Sequence, residues 1–370
     1  MKFLGWTGWL ISTAILSLLL AEILVRIFLP KVDAPLAKEF RVNSKRDRVP
    51  FMMFGAPPYN GPSPTQPKPE GEYRVFVLGG STVEHGDPAL PECLEEKLHK
   101  RGAKNIRVYN YGVVSANSGN QLARLVFEIV DLEPDLVVFY DGVNDSQHPL
   151  LNDPRPGNSF DHVVYENHPL ISADTWDYPA IPLLLYGSEL MRRCCQQYFI
   201  DAFTDLPRLR KEAGYETKEW RLEIARKYVG NAIKAGRFTK AHDAEFIWFY
   251  QPLVNYKKPR TEKEENMVHH EEHYSSLRSF IQREMAAAQR KGLLSDKRSF
   301  DISGVFEGVE EEIFWNSTHI LQFARWKVVD AMIDPIISLI KDDPRLSFTD
   351  DPGKTTESPI VPAPSEAGIQ

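Results

Sequence analysis

Hydrophobic residues between positions 70 and 345 occur in short continuous runs, and each run ends in a loop that is polar or contains glycine. Runs of this length are typical of strands buried on both faces of a parallel sheet. The pattern predicts strands at Tyr73–Leu78, Ile106–Tyr111, Leu136–Tyr140 and Ala244–Tyr250, with a weaker fifth strand at Phe300–Val305.

Helical patterns lie between these runs. They predict helices at Pro91–Arg101, Ser118–Leu132, Glu264–Lys291 and Thr318–Ile340. Alternating strands and helices predict an α/β fold with a doubly wound parallel sheet. Ligands of such folds bind beyond the carboxyl ends of the strands, so we expect the chemistry of this chain in the loops that follow its strands.

The stretch from about 150 to 240 interrupts this alternation. It contains helical patterns at Pro182–Gln197 and Thr217–Lys234 but no clear strand, and it is too long for a simple connection. We interpret it as a helical insertion. The pattern leaves open whether this insertion shapes a substrate pocket or is a subdomain that serves only packing.

The first thirty residues predict a transmembrane anchor. No charged residue occurs from Phe3 to Ala21, and this run is close to the roughly 20 residues that cross a bilayer. A cleaved signal peptide is the alternative, but no Ala-x-Ala-like site follows the run. Basic residues are more frequent after the span than before it, which favours a cytoplasmic body, although long domains cross membranes largely regardless of charge.

Two further segments flank the predicted folded body. Seven prolines between positions 50 and 69 predict an extended linker, which we place at residues 31–70. Residues 346–370 are rich in Pro, Ser, Thr and acidic residues and predict a disordered tail. The folded body is therefore expected to span residues 71–345.

Composition excludes several classes of protein. The 370 residues are 42% hydrophobic and 26% charged, with a formal net charge of -7, which is ordinary for a globular chain and lacks the basic stripe of a nucleic-acid binder. Three cysteines cannot form an even disulfide framework and lack the spacing of a zinc site. His269 and His273 have zinc-ligand spacing on a helix, but the many charged neighbours favour a solvated face. We predict neither a metal nor a cofactor.

Four short blocks at the ends of the predicted elements carry candidate chemistry. Ser81 follows Gly79-Gly80 after the first strand, where a serine oxygen would be exposed as a nucleophile. Gly112 follows the second strand, and Asn144 lies in the block Gly142-Val143-Asn144-Asp145 after the third strand; both could donate hydrogen bonds to an oxyanion. The fourth block contains His319, just before the last helix. Each block alone has an ordinary alternative: a phosphate-binding turn or helix cap for Ser81, an Asx turn for Asn144 and a structural role for His319.

In their order along residues 73–340, these blocks resemble those of the SGNH hydrolases, also called GDSL-type esterases and lipases. The resemblance implies a three-layer α/β/α sandwich with a central parallel sheet. It also implies that Ser81 is the nucleophile and His319 the base. The oxyanion hole would then comprise the Ser81 N–H, the Gly112 N–H and the Asn144 side chain.

One position departs from the family pattern, because Asn316 stands three residues before His319 where the family usually has Asp. A neutral amide can orient an imidazole but cannot stabilise its charged form, and it could favour the wrong tautomer. The chain could instead use a Ser–His dyad alone, recruit one of Glu310–Glu312, or be a weak enzyme.

The resemblance and the apolar span together predict a membrane-anchored serine esterase. It would hydrolyse or transfer an acyl ester, with O-acetyl groups on a cell-envelope glycan as one substrate. The alternative is a catalytically silent protein that binds ligands in the same pocket. Similar anchored members of the family place the body outside the cytoplasm, in a bacterial envelope, with no nucleic-acid partner.

Overall fold

A computed structural model describes residues 2–29, 63–159, 187–195, 198 and 205–349. Its core is one five-stranded sheet in which every neighbouring pair of strands is parallel. The strands are β1 (Tyr73–Gly79), β2 (Ile106–Gly112), β3 (Leu136–Asp141), β4 (Glu245–Tyr250) and β5 (Ser299–Asp301), in the order β2-β1-β3-β4-β5. The predicted parallel sheet is confirmed. Each predicted strand overlaps one of its strands, but the fifth ends at Asp301 rather than at Val305.

Helices cover both faces of this sheet. In chain order the α-helices are α1 (Lys2–Phe28), α2 (Ser81–Glu84), α3 (Leu90–Lys100), α4 (Ser118–Arg124), α5 (Val143–Leu151), α6 (Glu189–Cys194), α7 (Leu206–Ala213), α8 (Lys218–Ala241), α9 (Glu262–Glu265), α10 (Glu271–Arg290) and α11 (Gln322–Ile340). A π-helical turn at Leu125–Ile129 and a 3-10 turn at Val130–Leu132 continue α4, and a third short turn spans Val254–Tyr256.

Two hydrophobic cores lie on opposite faces of the sheet. On one face, buried residues of α3 and α11 such as Leu94 and Met332 pack against alternate sheet residues. On the other, α8 and α10 contribute residues such as Ile224 and Leu277. Because each strand points successive side chains to opposite faces, buried apolar runs supply both cores at once. The fold is therefore an α/β sandwich of three layers, as predicted.

Several helix boundaries differ from the prediction, and two of these differences have a clear structural cause. The predicted helix Glu264–Lys291 is two helices, α9 and α10, because His270 adopts a left-handed backbone with φ of 51° just before α10. The last helix begins at Gln322 rather than Thr318, since the preceding residues form a hairpin closed by a bridge between Phe314 and Ile320.

The segment interpreted as a helical insertion contains a helix that belongs to one of the two helical layers covering the sheet. Helix α8 packs against β4 and α10 and carries Trp220, Tyr228 and Ala235 into the second core, so it is the crossover between β3 and β4. Residues Lys218–Ala241, placed in the predicted insertion, therefore pack as part of the layered fold. The insertion also includes residues 160–186, which lie outside the described residues.

The N-terminal helix α1 contacts a segment far along the chain. Its Glu22 carboxylate accepts hydrogen bonds from the Ser188 hydroxyl at 2.7 Å and from the backbone N–H groups of Glu189 and Leu190, both at 2.8 Å. Arg26 donates to the Gly187 carbonyl. Residues Gly8–Phe28 are long and apolar enough to cross a membrane, a test that a signal sequence also passes.

At the other end, residues 346–349 belong to the folded body. Leu346 is buried in the first core, and the Thr349 N–H donates to the Arg101 carbonyl at 2.9 Å. The first four residues of the predicted tail therefore pack against the body, and its remaining residues, 350–370, lie outside the described residues. Residues 31–62 of the predicted linker also lie outside them.

Candidate active site

Ser81 occupies a tight turn at the carboxyl end of strand β1, which lies between β2 and β3 in the sheet. It begins helix α2, directly after Gly79 and Gly80. A Cβ atom on Gly80 would lie 2.4 Å from the Asn144 Nδ2 atom, so only glycine lets this turn approach the Asn144 side chain. The turn therefore places the half-buried Ser81 next to a side-chain amide donor.

His319 reaches Ser81 from 238 residues away in the sequence. Its Nε2 atom lies 2.8 Å from the Ser81 Oγ atom, within hydrogen-bond distance. The hairpin that carries His319 is closed by a hydrogen bond from the Trp315 N–H to the His319 carbonyl and by one from the Leu321 N–H to the Ile313 carbonyl. The nucleophile and base predicted from sequence are thus in direct contact.

Asn316 holds the imidazole of His319 through one oxygen atom. Its Oδ1 atom accepts hydrogen bonds from the Thr318 N–H at 2.9 Å and from the His319 N–H at 2.8 Å, and it lies 3.1 Å from His319 Nδ1. Backbone N–H groups only donate, so the side-chain atom that faces them must be the amide oxygen rather than the nitrogen.

The tautomer of His319 follows from this arrangement. Because Asn316 presents an acceptor to Nδ1, the proton of the neutral ring resides on Nδ1 and the lone pair resides on Nε2. That lone pair faces the Ser81 hydroxyl. The neutral Asn316 therefore selects the tautomer that a general base needs, and the concern that an amide favours the wrong one does not apply here.

The protonation state of His319 also suits a base. Burial lowers its pKa to about 4, with further lowering by the nearby charges of His85 and Arg325. The ring is neutral at pH 7 and can accept a proton there. Of the candidate acidic partners, Glu311 and Glu312 instead face Lys327 and Lys263 in ion pairs. Among the described residues, the ring nitrogens of His319 form hydrogen bonds with Ser81 and Asn316.

Asn144 lies on α5 beside the serine turn, after the third strand. Its Nδ2 group donates one hydrogen bond to the Ala116 carbonyl at 2.8 Å. An amide nitrogen carries two hydrogens, so the second remains for a ligand. The next residue, Asp145, is buried and accepts from both the N–H and the hydroxyl of Ser118, which ties α5 to the start of α4.

Gly112 does not present a free donor, contrary to the sequence-based expectation. Its N–H donates to the Asn110 side-chain oxygen at 3.0 Å. A Cβ on Gly112 would lie 2.4 Å from the Glu84 nitrogen, so the glycine lets β2 pack closely beneath helix α2. Its role in the structure is close packing, because its hydrogen-bond donor is already used inside the protein.

A loop residue that sequence reasoning missed, Ser115, lies near the Asn144 side chain. Ser115 adopts a left-handed backbone with φ of 61°, and the carbonyl of the next residue, Ala116, accepts from Asn144. No hydrogen bond joins the Ser115 N–H to another residue in the described part of the chain. Glycine or asparagine at this position would have indicated a left-handed backbone, but serine does not.

A buried ion pair that sequence reasoning also missed supports the histidine hairpin. Lys257 and Glu264 are joined at 2.6 Å, and their side chains are at most 1% exposed. The other oxygen of Glu264 accepts from the N–H groups of Ile313 at 2.8 Å and Phe314 at 3.1 Å, at the start of the hairpin. Burial alone would raise the pKa of Glu264, but its hydrogen bonds, led by Lys257, hold it below the usual value.

The histidine cluster at positions 269–273 is divided between surface and core. His273 is buried and its Nε2 lies 3.0 Å from the Ser146 carbonyl, whereas His269 and His270 are exposed. No group of three or more His, Cys, Asp or Glu side chains suited to a metal occurs in the described part of the chain. The expected solvated face therefore holds for two of the three histidines.

Comparisons with known proteins show similarity at the level of structure. No protein-family model and no curated protein sequence matches this chain. An acetyl-xylooligosaccharide esterase from Geobacillus stearothermophilus superposes with a TM-score of 0.41 and 12% identity, covering 71% of this chain and 94% of the esterase. A lipase from a goat rumen metagenome gives 0.41 and 14%, covering 71% and 97%. A G-D-S-L family lipolytic protein from Desulfitobacterium hafniense gives 0.36 and 11%, covering 72% and 99%.

Proposed function

We propose that this protein is a serine ester hydrolase of the SGNH type. The observation that carries the proposal is the 2.8 Å contact between Ser81 Oγ and His319 Nε2, in the tautomer that Asn316 selects. A nucleophile, a base and an orienting group in hydrogen-bond reach are the arrangement that covalent acyl transfer requires. Because Asn316 is neutral where a triad would have a carboxylate, the site is a Ser81–His319 dyad whose imidazole is positioned by the Asn316 amide.

The reaction proceeds in two halves. His319 Nε2 takes the proton of Ser81 as Oγ attacks the ester carbonyl, and the imidazolium then protonates the leaving alcohol. Water, activated in the same way, releases the acyl group from Ser81. A second hydroxyl in place of water would give transfer rather than hydrolysis.

The oxyanion of the tetrahedral intermediate needs donors beside Ser81. We assign this role to the Ser81 N–H at the start of α2 and to the second Nδ2 hydrogen of Asn144. Since the Gly112 N–H is engaged by Asn110, the third donor in our proposal is the Ser115 N–H, in the loop that also contacts Asn144.

For the substrate we propose O-acetyl groups on a cell-envelope glycan. Acetyl esters of xylo-oligosaccharides are the substrates named for one of the structures compared above. We further propose that α1 anchors the chain in a membrane with the body outside the cytoplasm. Protease added to intact spheroplasts should then digest the body, whereas digestion only after lysis would place the body in the cytoplasm.

Substitution of Ser81 tests the activity itself. We expect Ser81→Ala to abolish both hydrolysis of p-nitrophenyl acetate and labelling by a fluorophosphonate, while the circular dichroism spectrum remains that of wild type. Ser279→Ala is the matched control, because this exposed serine lies on α10 and its hydroxyl donates to the Ser275 carbonyl of the same helix. Equal turnover in Ser81→Ala and wild type would reject the assignment. A folded wild type without labelling or turnover would favour a binding protein.

A further inference from the structure

Trp315 stands apart from the other apolar residues of the histidine hairpin. Ile313, Phe314 and Ile320 are buried at 0%, 0% and 8% exposure, whereas Trp315 is 51% exposed. Exposing half of an indole forgoes a substantial part of the free energy that its burial would contribute. The hairpin could have carried a polar residue there, so the exposed ring calls for a role outside the fold.

The indole is held in a fixed orientation against the base. The rings of Trp315 and His319 are stacked, with centroids 5.1 Å apart and planes inclined by 23°. Because the backbone N–H of Trp315 also donates to the His319 carbonyl, the two residues form one unit. Since the two rings are stacked, one indole face is covered by the imidazole and the exposure belongs to the remainder of the ring.

The chemistry of ester cleavage indicates which part of a substrate lies beside the Trp315 indole. His319 Nε2 must protonate the oxygen of the leaving alcohol, while the carbonyl oxygen lies with the donors near Asn144. Groups stacked on the imidazole are therefore adjacent to the alcohol portion of the ester rather than to the acyl portion. Trp315 is such a group.

The surroundings of the indole indicate the kind of alcohol. The other partly exposed side chains of the hairpin, those of Asn316, Ser317, Thr318 and His319, are all polar. An apolar face bordered by polar groups matches a pyranose ring, which presents C–H bonds on its faces and hydroxyls on its rim. An alkyl alcohol would leave these polar neighbours unmatched.

We propose that Trp315 is the platform on which a sugar ring of the substrate stacks while its ester is cleaved. This inference rests on the proposed function, because it assigns the alcohol side of the same site. It makes Trp315 a specificity-determining residue: the platform raises the efficiency of the enzyme on sugar esters relative to alkyl esters.

The experiment compares three acetate esters with the full-length chain in detergent. A mono-O-acetyl methyl xylopyranoside, butyl acetate and ethyl acetate are each followed by acetate release in a pH-stat. For Trp315→Ala we expect kcat/KM on the sugar ester to fall about tenfold further than on either alkyl ester, as loss of a modest apolar contact area implies. Trp315→Phe, which retains an aromatic ring, should restore most of the difference.

Phe127→Ala is the matched control, since Phe127 is a 59% exposed aromatic on the helix between β2 and β3. It should leave all three kcat/KM values at the wild-type level. Equal losses on the sugar and alkyl esters in Trp315→Ala would overturn the proposal, because Trp315 would then act only by orienting His319. No loss on any ester would overturn it as well. Absence of turnover in wild type would instead reject the proposed function, and this inference with it.

Discussion

Replacing Asn316 by Asp tests how the neutral partner limits this site. An aspartate has the same shape and can accept the same hydrogen bonds from the Thr318 and His319 N–H groups. The substitution therefore adds a negative charge 3.1 Å from His319 Nδ1 without rebuilding the turn. Any change in rate or pH dependence then reports the charge alone.

The magnitude follows from Coulomb's law. Two unit charges about 4 Å apart at an effective dielectric constant of about 20 interact by ~4 kcal/mol, and solvent at a half-exposed site reduces this. A rise of about two units in the pKa of His319 is consistent with that energy at ~1.4 kcal/mol per unit. The pKa would move from about 4 to the region of its ordinary value.

The same charge stabilises the imidazolium of the transition state. In a serine protease the loss of the corresponding carboxylate costs about 10⁴ in rate, in part because the tautomer becomes wrong. Here the tautomer is already correct, so we expect a smaller gain in kcat for Asn316→Asp, about tenfold to a hundredfold. KM should change little, because the charge acts on a state formed during the reaction.

The assay is kcat and kcat/KM against pH for wild type and Asn316→Asp on p-nitrophenyl acetate, with Ser81→Ala as the blank; the acid limb of kcat/KM reports the pKa of His319 in the free enzyme. Since the base must be neutral, wild-type activity should rise with pH through about 4 and then reach a plateau. The variant should reach a higher plateau, with its acid limb displaced to higher pH. An unchanged or lower plateau together with an unmoved acid limb would refute the reasoning.

Three further substitutions test the geometry around the dyad. Asn144→Ala should lower kcat by about 10²–10³ with little change in KM, measured by steady-state kinetics, because it removes an oxyanion donor. Gly80→Ala should also lower kcat, since its Cβ would lie 2.4 Å from Asn144 Nδ2 and displace that group. A variant with the kcat of wild type would show that turnover does not depend on the position of the Asn144 amide. Glu264→Gln should lower the free energy of unfolding by about 3 kcal/mol, measured by urea denaturation, because a buried ion pair is broken. It should also reduce kcat, and a folded variant with full activity would exclude a role of Glu264 in placing His319.

Much of the sheet could be predicted from the sequence because its strands are buried on both faces. β1 begins at Tyr73 as predicted and ends one residue later, since unbroken apolar runs mark both faces of a central strand. The boundary between α9 and α10 could not be predicted, because it depends on the left-handed backbone of His270 inside a helical pattern. The sequence did not indicate that α8 is the helix connecting β3 to β4, because the long segment before α8 interrupts the alternation of strands and helices.

Some features of the candidate site could also be predicted from the sequence, and others could not. The contact between Ser81 and His319 could be predicted because Ser81 follows a strand and His319 precedes the last helix, and such loops meet at the carboxyl edge of the sheet. The oxyanion-hole role expected of Gly112 stays a prediction, because its N–H donates to the Asn110 side chain in this structure, a contact that no sequence pattern indicates. The support of the hairpin by Glu264 depends on residues about fifty positions apart and is likewise invisible in a linear pattern.

The Asx turn at Asn316 has an evolutionary consequence. Asparagine and aspartate codons differ by a single base, and the turn accepts either side chain through the same oxygen. A lineage can therefore exchange a neutral partner for a charged one by one mutation, with the backbone and the tautomer of His319 preserved. The pH range of such an enzyme is then open to selection independently of its fold.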